Sequence, residues 1–230
     1  MDIKFKDFLK LLIKKFISFL NTSTIRNVFY VCASILVFIV GVVIYGIILN
    51  LREVPLSTAV QEKGIKKFNK PNIIIDRSNY SLMLYNDTVL VKTYKANFGR
   101  NIRQPKSKAG DEATPVGVYK ICEIDTNSMY HKFFRLNYPN LDDASEALLK
   151  GFITQKEFDQ LKFEFYYSGC TNDTTYLGGD IGIQGMGRYD YFFKNLPFVY
   201  NWTDGSIAVS NDDIDELSTV VKKGTKVVIK

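Results

Sequence analysis

Residues 28–49 form an uninterrupted apolar run, VFYVCASILVFIVGVVIYGIIL, without a charged side chain. As an α-helix these residues extend over about 33 Å, enough to cross a hydrocarbon core of about 30 Å. The core helix of a soluble protein is rarely apolar on every side over about six turns. A cleaved signal peptide has a shorter apolar core and small residues at its cleavage site, and neither is evident after Leu49. The run therefore predicts an uncleaved transmembrane anchor.

The charges around this run predict its orientation. The chain has 230 residues and a formal net charge of +6. Residues 1–27 contribute six basic and two acidic side chains, whereas only Arg52 follows the run within ten residues. By the positive-inside rule we expect residues 1–27 in the cytoplasm and residues 50–230 on the periplasmic or cell-wall side of the cytoplasmic membrane. Because the excess charge is concentrated in this leader, it does not indicate a nucleic-acid-binding surface.

The segments on either side of the run have simpler interpretations. Residues 3–20 form a basic amphipathic stretch, which is either a plain topogenic flank or a helix lying along the anionic inner leaflet. Residues 50–70 contain Pro55, Gly64 and four lysines. This composition is typical of a short tether between a membrane and a folded domain.

Residues 71–230 have the pattern of a separate folded domain. Short runs rich in β-branched and aromatic residues occur at 72–76, 81–85, 89–94, 117–124 and 226–229, and the first three read as an antiparallel meander. Helices are predicted at 142–150, after the capping box of Thr154 and Glu157, and from Ser210 to just before Gly224. We therefore expect a mainly β domain with a few helices, preceded by one transmembrane helix.

The few histidines and cysteines exclude several kinds of site. The chain contains one histidine, His131, and three cysteines that are far apart in sequence. No site can hold two imidazoles, a zinc centre is disfavoured, and we expect neither a metal nor a cofactor. Cys32 lies within the apolar run, whereas Cys122 and Cys170 could pair as a disulfide outside the cytoplasm.

Three motifs carry the strongest functional signal. They are GDEATPVGVY at residues 110–119, IGIQG at 181–185 and WTDGSIAV at 202–209, accompanied by IDRS at 75–78 and NYPN at 137–140. Taken in chain order over residues 71–230, these five motifs resemble those of the catalytic domain of the L,D-transpeptidases of the YkuD type. The resemblance implies a β-sandwich-like fold that acts on peptidoglycan stem peptides.

The resemblance also implies a mechanism for the family. A cysteine attacks the stem peptide at an L,D bond, and the acyl group is held as a thioester until it passes to an acceptor amine. A histidine activates the thiol, and backbone amides near the cysteine stabilise the oxyanion.

This chain departs from the family at both catalytic positions. Gln184 stands where the family has the histidine of its His-Gly pair, and Ser206 stands where it has the nucleophilic cysteine. A hydroxyl is harder to deprotonate than a thiol and needs a positioned base, which glutamine cannot provide. We expect Gln184 and Ser206 to meet in one cleft, with Gly205 contributing to the oxyanion site.

Three other residues are alternatives for the missing chemistry. Asp204 lies two positions from Ser206 and could act as its base, although a carboxylate with a pKa near 4 is a weak base for a hydroxyl. Cys170, in Ser-Gly-Cys, could be a relocated nucleophile, but it precedes Gln184 in the chain. His131 either faces the cleft or is an ordinary surface or packing histidine.

An aromatic run lies between the two altered positions. Residues 189–202 contain seven aromatic side chains, including Trp202. They either pack as a lid over the cleft or provide a platform for a ligand. We assign stem-peptide binding to Arg188, whose guanidinium suits a carboxylate, and to Gly185, Trp202 and Thr203.

Three functions remain open. We favour a membrane-anchored pseudoenzyme that binds stem peptides or an envelope protein. The second is an active cell-wall acyltransferase or peptidase that uses Ser206. The third is a non-enzymatic envelope scaffold.

Overall fold

The computed structural model describes residues 10–16, 18, 23–51, 53–171 and 174–230. Residues 3–9, 17 and 19–20 of the predicted amphipathic stretch lie outside the described residues. The first long helix, α1 (Ser23–Asn50), contains the segment Ile25–Leu49, whose mean hydropathy of 2.9 and length suffice to cross a membrane. A signal sequence has the same properties, so membrane anchoring enters below as part of a proposal.

Eight strands form one mixed, curled sheet in the order β3-β2-β1-β8-β4-β5-β6-β7. Their bounds are β1 Pro71–Asp76, β2 Ser81–Asn86, β3 Val89–Lys95, β4 Gly117–Ser128, β5 His131–Leu136, β6 Gly182–Gln184, β7 Ile207–Ala208 and β8 Lys226–Ile229. Strands β1 to β3 are the predicted antiparallel meander. The last strand, β8, runs parallel to β1 and antiparallel to β4, and it joins the two halves of the sheet. The expected mainly β fold with a few helices is confirmed.

The main core lies on one face of this sheet. Alternation along β1 puts Ile73 and Ile75 at zero exposure, and the paired strand β2 buries Leu82 and Leu84 in the same way. The core continues through β4 and β5 into β6 and β7, so that the short strands at the far edge belong to the same packed unit. This continuity fixes the edge on which the candidate site is built.

A helical pair inserted between β5 and β6 has a small core of its own. Helix α3 (Leu141–Leu149) begins at a capping box of Asn140 and Asp143, and helix α4 (Gln155–Tyr167) begins at the predicted box of Thr154 and Glu157. A disulfide between Cys122 of β4 and Cys170, with Cα atoms 5.4 Å apart, ties the end of this insertion to the sheet. Cys170 is therefore not a free nucleophile.

Part of the predicted tether is a packed helix. Helix α2 (Leu56–Glu62) buries Leu56 and Ala59. The amide of Leu56 donates a hydrogen bond to Glu216 Oε1 at 2.9 Å. Glu216 belongs to α6 (Asn211–Ser218), which follows the short α5 (Asp190–Phe193). The connection between α1 and the domain is therefore short, since only residues 51–55 separate the end of α1 from the start of α2.

Candidate active site

The two altered catalytic positions lie on neighbouring strands. Gln184 is the last residue of β6, and in the parallel ladder its partner on β7 is Ala208. Ser206 precedes Ala208 by two residues, so Gln184 and Ser206 are diagonal neighbours across the ladder. Both are buried, with 4% and 8% exposure. The topology thus brings together two positions separated by 21 residues of sequence.

Ser206 is held by the backbone of the adjacent strand. Its hydroxyl oxygen accepts a hydrogen bond from the amide of Gly182 at 3.2 Å. Among the described residues this is the only hydrogen bond of the Ser206 hydroxyl. No base therefore contacts the hydroxyl in the described part of the chain.

The turn that presents Ser206 is closely built. The Thr203 hydroxyl donates to the carbonyl oxygen of Ser206 at 2.6 Å and accepts from the amide of Gly205 at 3.3 Å. Gly205 has φ +128°, and a Cβ there would lie 2.7 Å from the Ala113 carbonyl oxygen and 2.9 Å from Ile181 Cδ1. Only glycine fits at position 205. The two hydrogen bonds of Thr203 stabilise the turn.

The motif at residues 110–119 packs against this turn. The Asp111 carboxylate accepts hydrogen bonds from the amides of Ser107, Lys108 and Ala113 and pairs with Lys106 at 2.6 Å. Burial alone would raise the pKa of Asp111, but these hydrogen bonds outweigh it and hold the pKa below its usual value. The loop so fixed places the carbonyl of Ala113 against Gly205.

Asp204 is engaged elsewhere. Its carboxylate pairs with Arg100 at 3.1 Å and its side chain is 80% exposed. Arg100 also pairs with Glu112 at 2.7 Å. The Asp204 carboxylate therefore serves an exposed ion-pair network, and the described residues show no hydrogen bond between it and Ser206.

The loop after β6 is hydrogen-bonded to the start of α6. The Asn211 side-chain oxygen accepts from the amides of Met186 and Gly187 at 3.0 and 2.9 Å. A Cβ on Gly185 would lie 2.6 Å from the Tyr130 carbonyl oxygen and 2.7 Å from Asn211 Oδ1. Gly185 is thus required by the close packing of the loop, and a ligand-binding role for it stays a prediction.

Trp202, which is predicted to bind the ligand, belongs to a stack of aromatic rings. Phe193 lies parallel between Tyr200 and Trp202, with centroid distances of 6.0 and 5.6 Å. The indole Nε1 of Trp202 is buried without a hydrogen-bond partner in the described part of the chain. Arg188 is exposed and donates to the Tyr189 hydroxyl at 2.7 Å. The Trp202 donor is therefore closed to solvent and unpaired among the described residues, whereas Arg188 is bonded to its neighbour.

His131 is a surface residue at the start of β5. Its Nε2 lies 2.7 Å from the Asp215 carboxylate, and its side chain is 39% exposed. Hydrogen bonds from Lys132 and His131 outweigh burial and lower the pKa of Asp215. The main interaction of His131 is therefore with Asp215 of α6. Within the described ranges, no group of three or more His, Cys, Asp or Glu side chains could hold a metal ion.

Sequence reasoning missed several residues that shape the site. Gly182, Arg100 and Asn211 contribute through hydrogen bonds or ion pairs to residues that are distant in sequence. Asn211 had one available signal, because it directly follows the Ser210 cap of α6. Gly182 lies within the IGIQG motif at residues 181–185, but the motif does not indicate its bond to Ser206, and nothing in the local sequence around Arg100 distinguishes that residue.

Comparison with known proteins shows which family the sequence of this chain matches. Residues 70–229 match the family described as YkuD, the L,D-transpeptidase catalytic domain. Similar solved structures include the helical cell shape determining protein Pgp2 from Campylobacter jejuni, with 19% identity over 76% of this chain and 55% of that chain (TM-score 0.44). Bd1075 from Bdellovibrio bacteriovorus has 21% identity over 71% of this chain and 48% of that chain (TM-score 0.44).

An L,D-transpeptidase from Xylanimonas cellulosilytica has 16% identity over 77% of this chain and 70% of that chain (TM-score 0.39). The chain spans about half the length of the Campylobacter and Bdellovibrio proteins. No curated protein sequence matches the chain.

Proposed function

Because the chain belongs to the YkuD family of L,D-transpeptidase catalytic domains, a family of peptidoglycan metabolism, we propose that it is a membrane-anchored, extracytoplasmic member that binds without catalysing. Its ligands are peptidoglycan stem peptides or an envelope protein. The proposal is carried by one observation: Ser206, at the nucleophile position, has the Gly182 amide as its only hydrogen-bond partner among the described residues.

The chemistry at this pair of positions supports the absence of turnover. Acyl transfer by a hydroxyl needs a base within hydrogen-bond reach to take its proton. Gln184 has no titratable group, and the Asp204 carboxylate is paired with Arg100 at 3.1 Å. A nucleophile and its base act as one catalytic unit. Without both of them we expect the turnover rate to fall by many orders of magnitude rather than modestly.

The close contacts around Ser206 support binding. Thr203 bonds to both ends of the turn, Gly205 approaches Ala113, and the Asp111 loop holds Ala113 in place. These contacts fix the turn in one conformation, and a fixed turn binds a peptide at a lower entropic cost than a mobile one.

The membrane anchor is the second part of the proposal. Segment Ile25–Leu49 has the length and hydropathy of a membrane span. The basic leader before it favours a cytoplasmic N-terminus and an extracytoplasmic domain.

An equilibrium titration tests the binding function. The full chain, reconstituted in lipid nanodiscs, is titrated with a purified tetrapeptide muropeptide, and the fluorescence of Trp202, the only tryptophan, is followed. We expect saturable binding that Gly205→Ala weakens, with Gly151→Ala as a matched glycine control, because a Cβ at Gly151 meets nothing within 4 Å. If the muropeptide does not bind at millimolar concentration, stem-peptide binding is wrong and the envelope-partner alternative is the one to pursue.

A further inference from the structure

The apolar helix α1 contacts the domain close to its end. Gly46 is the buried residue of its apolar window, and a Cβ there would overlap the backbone of Asn195. Gly46 lies four residues before the end of α1, which corresponds to about 6 Å along the helix axis. The contact therefore places Asn195 beside the outermost turn of the apolar helix.

Asn195 lies within a segment, residues 189–200, that is rich in uncovered aromatic rings. We call it the aromatic segment. Its exposed side chains, with their relative exposures, are Tyr189 (50%), Tyr191 (74%), Phe192 (61%), Phe198 (54%) and Tyr200 (54%). A patch of this kind on a soluble surface marks an interaction site. The inner ring, Phe193, stacks on Trp202 and also contacts the rings of Tyr189, Phe192 and Tyr200, and the outer rings still expose half or more of their surface.

The aromatic segment is fixed to the domain by polar contacts. Lys95 Nζ donates to the carbonyl oxygens of Leu196 and Phe198 at 2.7 and 3.2 Å. The Asp190 carboxylate accepts from the amide of Asn211 at 2.7 Å. The segment is therefore held against the domain, and the contact between Gly46 and Asn195 sets its position relative to α1.

We propose that the aromatic segment inserts its outer rings into the outer-leaflet interface of the membrane that α1 spans. The inference rests on the proposed membrane anchor. Tyrosine and phenylalanine side chains are favoured at the boundary between headgroups and acyl chains, where rings are buried and hydroxyls stay hydrated. Contact with the last turn of a spanning helix puts these rings at that depth.

This placement bears on the ligand of the candidate site. The aromatic segment connects Gln184 to the turn that carries Ser206, and Trp202 stacks on its Phe193. The site is therefore held directly above the membrane surface. The peptides it takes are stem peptides next to the membrane, and those in distant layers of the wall are out of its reach.

A labelling experiment on the full chain in nanodiscs tests the inference. In a Cys32→Ser background, single cysteines at Tyr191→Cys and Phe198→Cys are labelled with an environment-sensitive fluorophore, with Tyr167→Cys on α4 as control. Tyr167 is aromatic and 83% exposed, but it lies on the inserted helical pair. The disulfide protects Cys122 and Cys170 from the reagent. Quenching is measured with lipids that carry a spin label near the headgroup end of the acyl chain.

We expect the labels at 191 and 198 to be quenched roughly twofold or more above the label at 167, because only the former lie in the interface. A separate sample labelled at the native Cys32, with a quencher deep in the acyl chain, reports on the anchor alone. Quenching at Cys32 without quenching at 191 and 198 overturns the inference and leaves the anchor standing. Absence of quenching at Cys32 overturns both.

Discussion

The amide of Gly182 donates a hydrogen bond to the hydroxyl oxygen of Ser206 at 3.2 Å. This bond links the strand that carries Gln184 to the turn that carries Ser206. An amide aimed at this atom stabilises a negative charge there, so the same geometry would favour a thiolate if residue 206 were a cysteine. The site therefore retains one element of thiol chemistry while it lacks the thiol and the base.

Restoring both family residues should reveal activity. The double variant Ser206→Cys/Gln184→His regains a nucleophile and a base on neighbouring strands, and we expect measurable release or exchange of the terminal residue of a tetrapeptide muropeptide. Ser206→Cys alone should be at least about 100-fold slower, since general-base assistance contributes roughly 10²–10⁴-fold. Mass spectrometry of the products checks both.

The matched control for this pair is Ser206→Cys/Gln184→Asn, which changes the same positions without adding a base. Equal rates for this variant and the histidine variant would show that position 184 does not act on residue 206.

The turn at Gly205 should tolerate no side chain. Gly205→Ala adds a Cβ 2.7 Å from the Ala113 carbonyl oxygen at a φ of +128°, and we expect a loss of about 3 kcal/mol in the free energy of unfolding. Gly151→Ala, at φ +72° with nothing within 4 Å, should lose only about 1 kcal/mol. Chemical denaturation of both variants measures the difference, and similar losses would show that the turn can yield.

The sequence predicted the fold well where its patterns are long. The meander of β1 to β3, the last strand β8 and the capping box at Thr154 match the structure within one or two residues at their starts. Strands β6 and β7 have only three and two residues, too short for any periodicity to be recognised. Their positions follow from the motifs instead.

The candidate site was predictable only through the family motifs. These identified Gln184 and Ser206 as a pair, and the parallel β6–β7 ladder places them together. The engagement of Asp204 with Arg100 joins residues 104 apart in the chain, and local sequence contains no sign of it. The packing of α2 was not predicted either, because the residues that flank it, among them Pro55, Lys63 and Gly64, are typical of a linker.

The disulfide should contribute to the stability of the helical insertion. Cys122 and Cys170 are 48 residues apart, and closing a loop of this length in the unfolded chain stabilises the folded state by roughly 4 kcal/mol at most. The variant Cys122→Ala/Cys170→Ala should unfold at a clearly lower temperature, whereas Cys32→Ala should not change that temperature. A loss below about 0.5 kcal/mol in the double variant would show that the bond adds little.

Asp143 should make stability depend on pH. Burial raises the pKa of Asp143 to about 6, from an ordinary value of 3.8. Between these values the folded state keeps a proton that the unfolded state releases. The stability contributed by this group is therefore full below about pH 4 and is lost as the pH rises to about 6, by on the order of 3 kcal/mol.

The variant Asp143→Asn cannot titrate, so the difference in unfolding free energy between it and the wild type should change with pH across this window. Asp142→Asn removes a neighbouring negative charge that also raises the pKa of Asp143, so this variant should narrow the pH window from its upper side. Parallel profiles for wild type and Asp143→Asn would show that Asp143 keeps an ordinary pKa in the folded protein.

The proposal that this family member binds without catalysing is tested most directly by a turnover assay on the unaltered chain. The full-length protein in nanodiscs is incubated for many hours with tetrapeptide muropeptides and an acceptor amine, beside Ser206→Ala, and products are analysed by mass spectrometry. We expect no crosslinked or trimmed product from either protein. Product from the unaltered chain that disappears in Ser206→Ala would establish Ser206 as a working nucleophile and contradict the proposal.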